Sequence, residues 1–404
     1  MASILVLTPQ VPYPPRQGTA LRNWGLLQGL AADHQVSLLS FAASDQVLTL
    51  DPRLARCLAR GAILRQPSRS TRDRLRDLFF TNRPDLAERL YSDAFAKRLR
   101  IWLTEMSFDW LLIEGLEMSP YLTFVSSESP VKIIFDDHNC EYLLQQRASR
   151  AGWTGSGWVR PRRWLGGVYS AVQWRRLRRY EAAVCQRADL VVAVSEADAE
   201  ALRAIAPAVD PLVISNGIDV AAYGAFEKQA LLAQPSFVFT GTMDFRPNVD
   251  AVLWFSEMVW PKVRAALPEA HYYVVGRNPH HRLNQLSELP GVVITGSVSD
   301  TRPYIRAATV YVVPLLVGGG TRLKLLESAA MRKAIVTTAM GAEGFREPER
   351  AMILADTPTA IADACITLAR DPIAREAWGE RAYAFAQAYD WNALLPPLLA
   401  RLGP

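Results

Sequence analysis

The sequence of 404 residues lacks the features that mark several large protein classes. It has no run of about 18 or more apolar residues, so no segment is predicted to span a bilayer. Its start, MASILVLTPQ, has no basic region before a long apolar stretch and predicts a first β-strand rather than a signal peptide. The four cysteines lie far apart without a CxxC pair, which supports neither a disulfide framework nor a zinc site. We expect buried thiols in a reducing, cytoplasmic compartment.

The common nucleotide and hydrolase motifs are also missing. The sequence has no GxxxxGK[ST] loop, and no GxGxxG follows a predicted strand, so neither a P-loop NTPase nor an ordinary dinucleotide site is predicted. The patterns HExxH, GxSxG and the EF-hand loop are absent as well, which disfavours the common hydrolases and metalloenzymes. A formal net charge of +5 is too small by itself to indicate nucleic acid as a partner.

Two series of short apolar runs alternate with amphipathic stretches. The first series extends from ILVLT (4–8) to PLVIS (211–215), and the second from FVFTGT (237–242) to MILA (352–355). Continuous apolar strands of this kind indicate parallel sheets that are covered on both faces. The length exceeds what one core usually reaches. We therefore predict an α/β protein of two doubly wound, Rossmann-like domains that face each other across a cleft.

The segment VGGGTRLKLLES (317–328) combines three successive glycines with two cations and a helix-forming stretch. A helix that begins near Thr321 would offer free N–H groups and a positive dipole end to an anion. Arg322 and Lys324 would be disfavoured at that end unless a negative ligand offset their charge. We predict that these cations and the glycine amides hold a diphosphate, while Glu327 accepts hydrogen bonds from sugar hydroxyls. The alternative is a plain Lys324–Glu327 salt bridge on a half-exposed helix. The glycines concerned are Gly318, Gly319 and Gly320.

The longer stretch VVPLLVGGGTRLKLLESAAMRKAIVTT resembles the donor-binding segment of retaining glycosyltransferases with the GT-B fold, in the glycosyltransferase family 4 group. That pattern usually has two glutamates around a Gly-rich turn. The second matches Glu327, but the position eight residues earlier is Gly319, so donor-sugar contacts would come from backbone amides or elsewhere. The resemblance implies transfer of a sugar from a nucleoside-diphosphate sugar to a sugar, glycolipid or other hydroxyl acceptor, in polysaccharide or glycolipid assembly. It also implies retention of anomeric configuration and no metal or other cofactor.

Further matches in the first half fall at two predicted strand ends. PYPPRQGTALRNWG resembles the family's first loop and helix, in which a glycine, here Gly18, lets the backbone approach diphosphate or acceptor; an ordinary loop glycine is the alternative. FDDHNCEY places His138 where related enzymes often have a histidine near the transferred sugar, beside Asp137, which we take as substrate-binding. A capping or core histidine is the alternative.

Matches in the second half concern the phosphate loop and the base pocket. FTGTMDFRPN resembles the phosphate loop, with Gly241 at its glycine, but Thr242 and Pro247 stand where most members have basic residues. Arg246 is then a candidate substitute, with a solvated loop arginine as the alternative. VVGRNP and ITGSVSD resemble the segments that line the base pocket, so Arg277 and Val298 are candidate base contacts, with a plain strand-end turn as the alternative.

The resemblance also divides the chain. We predict an acceptor-binding domain over residues 1–218 and a donor-binding domain over residues 219–385, joined where the alternation of strands and helices is interrupted before Pro235. The last stretch, AWGERAYAFAQAYDWNALL, resembles the C-terminal helix of this fold. Residues 386–404 are predicted to cross back to the first domain.

Residues 151–180 contain four tryptophans, seven arginines and no acid. Dense arginine with interleaved tryptophan is typical of a segment at an anionic membrane surface. Nucleic acid is a second interpretation, although we expect no nucleic-acid partner, and a solvated basic helix with packed tryptophans is a third. With a lipid-linked acceptor, the membrane interpretation places a cytoplasmic protein at the inner face of the membrane.

Two other functions remain open from the sequence. A sugar-nucleotide epimerase would bind the same diphosphate, but it needs acid and base carboxylates around the sugar, which the position of Gly319 does not supply. A catalytically silent nucleotide-sugar-binding or membrane-scaffold protein would agree with the missing first glutamate. Turnover distinguishes it from an enzyme, because a silent binder releases no free diphosphate product.

Overall fold

The computed structural model describes residues 1–15, 18–43, 48–70, 83–126, 128–138, 140–143, 161–317 and 321–403, with the backbone alone over 161–172. The chain divides into two compact units, Met1–Ser215 together with Leu395–Pro404, and Asn216–Leu394. Each unit contains one parallel sheet with helices in its connections. The prediction of two parallel-sheet α/β domains is therefore confirmed. The acceptor-binding and donor-binding roles of the two domains stay predictions.

In its described residues the first unit has a seven-stranded sheet with the order β3-β2-β1-β4-β5-β6-β7. The strands are β1 Ser3–Thr8, β2 Gln35–Ala42, β3 Arg60–Arg65, β4 Trp110–Glu114, β5 Lys132–Asp137, β6 Leu190–Ala193 and β7 Leu212–Val213. The α-helices are Gly18–Asp33, Pro52–Arg56, Asp85–Glu88, Asp93–Glu105, Pro161–Arg187, Glu196–Ile205 and Pro396–Leu402, and a 3-10 helix covers Leu116–Phe124.

The described part of the second unit has a six-stranded sheet with the order β10-β9-β8-β11-β12-β13. The strands are β8 Ser236–Thr240, β9 His271–Val275, β10 Val292–Gly296, β11 Val310–Val313, β12 Ile335–Thr337 and β13 Ile353–Leu354. The α-helices are Val220–Gly224, Arg246–Trp254, Trp260–Ala266, Arg302–Ala307, Leu323–Ala330, Pro358–Arg370, Pro372–Gln387 and Trp391–Leu394. A π-helical turn covers Phe255–Val259, and 3-10 helices cover His281–Glu288 and Pro348–Arg350.

Each unit buries its own hydrophobic core. In the first unit, Phe95 lies with its ring centroid 4.4 Å from those of both Phe41 and Tyr121. In the second unit, the rings of Phe255 and Tyr272 are 4.6 Å apart. The cysteines are free, and Cys57 is partly exposed while the other three are buried. Every helix in the described ranges is too short or too polar to cross a membrane.

Strand β3 is the one described strand that the apolar runs do not predict. Its sequence, RGAILR, has only three successive apolar residues between arginines. It pairs with β2 alone, at the sheet edge, and all of its residues are partly or fully exposed. An edge strand can keep polar ends because only one of its sides is paired. The periodicity signal is correspondingly weak.

Both sheets reverse their strand order at one point. In the first unit the reversal lies between β1 and β4, and in the second between β8 and β11. The loops that leave adjacent strands in opposite directions open a crevice beyond their carboxyl ends, which is where ligands bind in sheets of this type. The crevice of the first unit therefore lies beyond β1 and β4, next to β5, and that of the second unit lies beyond β8 and β11.

Candidate functional site

In the second unit, Lys324 joins the segments that follow β8 and β11. It lies on the helix Leu323–Ala330, and its Nζ donates a hydrogen bond to Asn248 Oδ1 at 2.9 Å. Asn248 Nδ2 in turn donates to the carbonyl oxygen of Thr242 at 2.9 Å. The ammonium also lies 4.2 Å from the centroid of the Phe239 ring, within the range of a cation–π contact. Lys324 is thus fixed beside the carboxyl end of β8, at the strand reversal.

Two glycines provide the space for this arrangement. A Cβ atom on Gly241 would lie 2.8 Å from Asn248 Nδ2 and 3.0 Å from Lys324 Nζ, which is too close for both. A Cβ atom on Gly276, at the end of β9, would overlap the carbonyl oxygen of Gly241. The residue predicted as the phosphate-loop glycine therefore lies beside the predicted cation, with a second glycine packed behind it.

The surroundings of Lys324 lower the pKa of its ammonium group when no ligand is bound. Burial lowers the pKa of Lys324, the neighbouring Arg322 lowers it further, and Glu327 partly opposes both, which leaves a value of about 7. Burial also lowers the pKa of Arg322, against the attraction of Glu343. Two partly desolvated cations at the start of one helix favour an anion as the ligand.

Glu327 is held by a tyrosine that the sequence did not identify. Tyr223 donates its phenolic hydrogen to Glu327 Oε1 at 2.9 Å. Burial raises the pKa of Glu327, while Tyr223 and Lys324 oppose that shift. Among the described contacts Glu327 and Lys324 form no salt bridge with each other, so the alternative interpretation of this helix does not account for them. The role of Glu327 towards a sugar stays a prediction.

The start of the helix differs slightly from the prediction. The helix begins at Leu323, two residues after Thr321, and Arg322 occupies the N-cap position with no hydrogen bond from its side chain to the cap. The hydroxyl of Thr321 is buried and has no hydrogen-bond partner in the described ranges. The three predicted glycine contacts, Gly318, Gly319 and Gly320, lie outside the described residues.

In the described ranges no hydrogen bond or ion pair joins Arg246, Arg277 or Val298 to Lys324. Arg246 has a side chain that is 86% exposed, and its Nε lies 3.2 Å from Asp250 Oδ2. Arg277 is exposed, and Val298 is partly buried against the core. The helix that begins at Arg246 contributes Asn248, not Arg246, to the network of Lys324.

In the first unit, His138 follows β5 and approaches the end of β4. Its Nδ1 lies 2.9 Å from Oε1 of Glu114, and the two side chains are 12% and 1% exposed. Gly115 follows Glu114 with φ 76° and ψ 160°, a backbone conformation that is essentially confined to glycine. Gly18, the other glycine predicted here, is exposed at the first position of the helix Gly18–Asp33. The sequence named His138, but it did not name Glu114.

A fully buried ion pair lies next to this histidine. Arg22 donates from Nε to Asp136 Oδ2 at 2.8 Å and from Nη2 to Asp136 Oδ1 at 2.6 Å. Arg22 Nη1 also donates to the carbonyl oxygen of Ile214 at 2.9 Å. Both charged side chains are 1% exposed. The pair ties the helix Gly18–Asp33 to the ends of β5 and β7, and no sequence pattern indicated it.

Asp137 points into a different cluster. The ligand atoms of Asp137, Cys140 and Glu181 lie within 4.8 Å of one another, and all three residues are buried. Burial and the charge of Glu181 raise the pKa of Asp137 well above its usual range, and burial raises that of Glu181 to about 7. Glu181 already accepts the backbone N–H groups of Glu141 and Tyr142, at 2.9 and 3.0 Å. We interpret Glu181 as a buried cap of the helical residues 141–143, with Asp137 buried beside it.

Protein-family models match the chain in both of its units. The family model for glycosyltransferase family 4 matches residues 17–222, just over half of the chain, and the model for glycosyl transferases group 1 matches residues 234–371. No curated protein sequence is significantly similar to the chain.

Solved structures with the same fold are distant in sequence. Sucrose-phosphate synthase from Thermosynechococcus elongatus aligns over 99% of this chain and 98% of its own, with 16% identity and a TM-score of 0.69. HepE of Anabaena, in complex with UDP and glucose, aligns over 100% and 99%, with 13% identity and a TM-score of 0.63. A TarM variant of S. aureus, whose complex contains UDP and α-GlcNAc-glycerol, aligns over 100% of both chains, with 8% identity and a TM-score of 0.62. At these identities the likeness concerns the fold.

Proposed function

Because the chain belongs to glycosyltransferase family 4, we propose that it transfers a sugar from a nucleoside-diphosphate sugar to an acceptor hydroxyl, with retention of anomeric configuration. The observation that carries the proposal is the Lys324 ammonium, held by Asn248 beside Gly241 at the strand reversal of the second unit. An anion is the ligand that such a site favours. The complexes of HepE and TarM with UDP support a nucleoside diphosphate as that anion.

The residues of the second unit suit the charge that develops during transfer. Breaking the bond between the sugar and the diphosphate places negative charge on the leaving phosphate, which preorganised donors stabilise. Lys324 and Arg322 would supply positive charge there, with Gly318, Gly319 and Gly320 offering backbone amides and Arg246 a further cation. With these donors we propose that no metal or other cofactor is needed. Glu327, oriented by Tyr223, would accept hydrogen bonds from the sugar.

We place the acceptor in the first unit, where His138 would contact the sugar and Gly18 would let the backbone approach. In a retaining transfer the acceptor attacks from the face that the diphosphate leaves, and the leaving phosphate takes the acceptor's proton. The acceptor hydroxyl must then be held close to the reacting carbon on that same face, which is a matter of positioning. His138 need not be the base in this scheme.

A membrane-bound acceptor would fit the basic segment 151–180. Residues 151–160 lie outside the described residues, and the helix Pro161–Arg187 continues the segment. On that helix Arg175, Arg178 and Arg179 are exposed while Leu177 is buried. This exposed basic row supports attraction to anionic lipid. We propose assembly of a polysaccharide or glycolipid at the inner face of the membrane.

A nucleotide panel tests the proposed function. UDP, GDP, ADP and dTDP, each with its common sugars, are added to the full chain while its thermal unfolding is followed. A ligand at a hundred times its dissociation constant stabilises by about 2.7 kcal/mol, so we expect an upward shift with one base. Incubation of the matching nucleotide sugar with acceptor is expected to release free diphosphate. Stabilisation without release would favour the silent binder, and a changed but untransferred sugar would favour the epimerase.

Nucleotide affinity is expected to depend on pH through Lys324. The free site has a pKa of about 7 for this lysine, and a bound diphosphate would raise it because it stabilises the ammonium. Above pH 7 binding must therefore take up a proton, and the affinity falls with rising pH by up to about tenfold per pH unit. Calorimetric titration at pH 6.5, 7.5 and 8.5, in two buffers of different ionisation enthalpy, measures both effects. An affinity independent of pH, with no proton uptake, would contradict the assignment of Lys324 to the anion site.

A further inference from the structure

Glu114 and Gly115 together determine where the imidazole of His138 lies. Glu114 is fully buried at the end of β4, and its Oε1 lies 2.9 Å from His138 Nδ1. A Cβ atom on Gly115 would lie 2.7 Å from His138 Cε1, so the ring occupies space that only a glycine leaves open. The glutamate thus contacts one ring nitrogen while the glycine admits the ring edge. Nδ1 meets Glu114 as an ion pair rather than through a hydrogen bond of ordinary geometry, and in the described ranges Nε2 forms no hydrogen bond either.

Carboxylates surround this histidine from several elements. Besides Glu114, they are Glu117 on the 3-10 helix, Asp136 on β5 and Glu141 in the turn after β5. Arg22 neutralises Asp136 through two hydrogen bonds. The positive charge of Arg89 acts on Glu117 and Glu141 and opposes the rise of their pKa values. Burial by itself lowers the pKa of His138, but Glu114, followed by Glu117 and Asp136, raises it to about 10. These carboxylates favour the imidazolium form of His138, in which both ring nitrogens are donors.

We propose that Glu114 is a positioning residue that fixes His138 through Nδ1 and keeps the ring as an imidazolium, so that Nε2 offers a hydrogen-bond donor and no lone pair to the substrate. The contact between His138 and substrate rests on the proposed function. A charged imidazole cannot take a proton from the acceptor hydroxyl. The proton released on attack must then go to another group, such as the leaving phosphate, while His138 interacts with an oxygen of the sugar or the acceptor.

The charge on His138 can be measured directly in the full chain. The protein has five histidines, and labelled histidine resonances are followed by NMR from pH 5.5 to 9, with His138→Gln used for assignment. In the native protein we expect the His138 signals to stay at the protonated position up to pH 8.5. In Glu114→Gln, which keeps the shape but removes the charge, the titration is expected to move down towards the ordinary value of ~6.5. A neutral His138 at pH 7 in the native protein would overturn the proposal.

Kinetics separate positioning from a purely structural role. Glu114→Gln is expected to lower kcat by about 10- to 100-fold, by analogy with carboxylates that orient metal-ligating histidines, with KM for the nucleotide sugar little changed. The loss should grow above the lowered pKa, and Glu114→Asp should recover part of the rate. Glu117→Gln, which removes a nearby charge that is not paired with the ring, serves as the matched control and should shift the titration less.

The outcomes distinguish the proposal from the function on which it rests. If Glu114→Gln shifts the titration without changing kcat or its pH profile, the positioning role is wrong. If Glu114→Gln does not fold, the titration of the native protein and the kinetics of Glu114→Asp still test the positioning role of Glu114. An unchanged pH profile in Glu114→Asp would then count against the proposal. If His138 is charged but no nucleotide sugar is turned over, the proposed function fails while the pairing of the two side chains stands.

Discussion

Lys324→Ala is expected to lower kcat/KM for the nucleotide sugar by about 10²- to 10³-fold, the usual effect of removing one preorganised donor from a developing oxyanion. The reason is positional as well as electrostatic. Asn248 holds the ammonium with a neutral acceptor, and Glu327 acts on it only through space, without a salt bridge in the described ranges. A bound diphosphate would then be the first strong counter-charge that the lysine meets. The same substitution should remove the stabilisation by nucleotide in the thermal-unfolding assay.

The control for Lys324→Ala is Lys262→Ala, which removes the same charge from an exposed position on the helix Trp260–Ala266. It should leave kcat/KM unchanged at moderate salt, because exposed charges are screened. Asn248→Asp is the more demanding variant. It places a carboxylate beside the ammonium, and the new pair would compete with the phosphate, so affinity should fall although Lys324 is still present. Unchanged nucleotide binding in both site variants would show that the anion site lies elsewhere.

The sheets were predictable because buried parallel strands need continuous apolar runs, and those runs are visible in the sequence. Strand β3 was not predictable in this way, since it lies at an edge and keeps arginines at both ends. The order of the strands, and with it the place of each reversal, depends on pairing between distant segments. Periodicity along one chain carries no information about such pairing.

The candidate site was also predictable only in part. Lys324 and Glu327 were identifiable because cations at the start of a helix conflict with the helix dipole. Their partners were not, since Asn248 is 76 residues from Lys324 and Tyr223 is 104 residues from Glu327. In the sequence Glu114 is only the polar residue at the end of a predicted strand. The fold is needed to show that it lies against His138. Local chemistry can therefore identify a reactive residue before it can identify what orients it.

Breaking the buried pair between Arg22 and Asp136 is expected to cost about 3–5 kcal/mol in the free energy of unfolding of the first unit, because one charge is left buried without its partner. Arg22→Met, which keeps most of the side-chain volume, is the variant of choice. Urea unfolding followed by tryptophan fluorescence measures the loss. The matched control is Asp210→Ala, which breaks the exposed pair between Arg203 and Asp210 and should cost less than about 1 kcal/mol.

The double variant Arg22→Met, Asp136→Leu distinguishes a buried-charge penalty from a packing defect. If the penalty of the single variant comes from the charge that remains on Asp136, removing that charge as well should recover part of the lost stability. If the double variant is the less stable one, the two side chains act mainly through packing and through the bond from Arg22 to the Ile214 carbonyl. A loss below about 1 kcal/mol in Arg22→Met would contradict the prediction, since a pair that weak behaves like one at the surface.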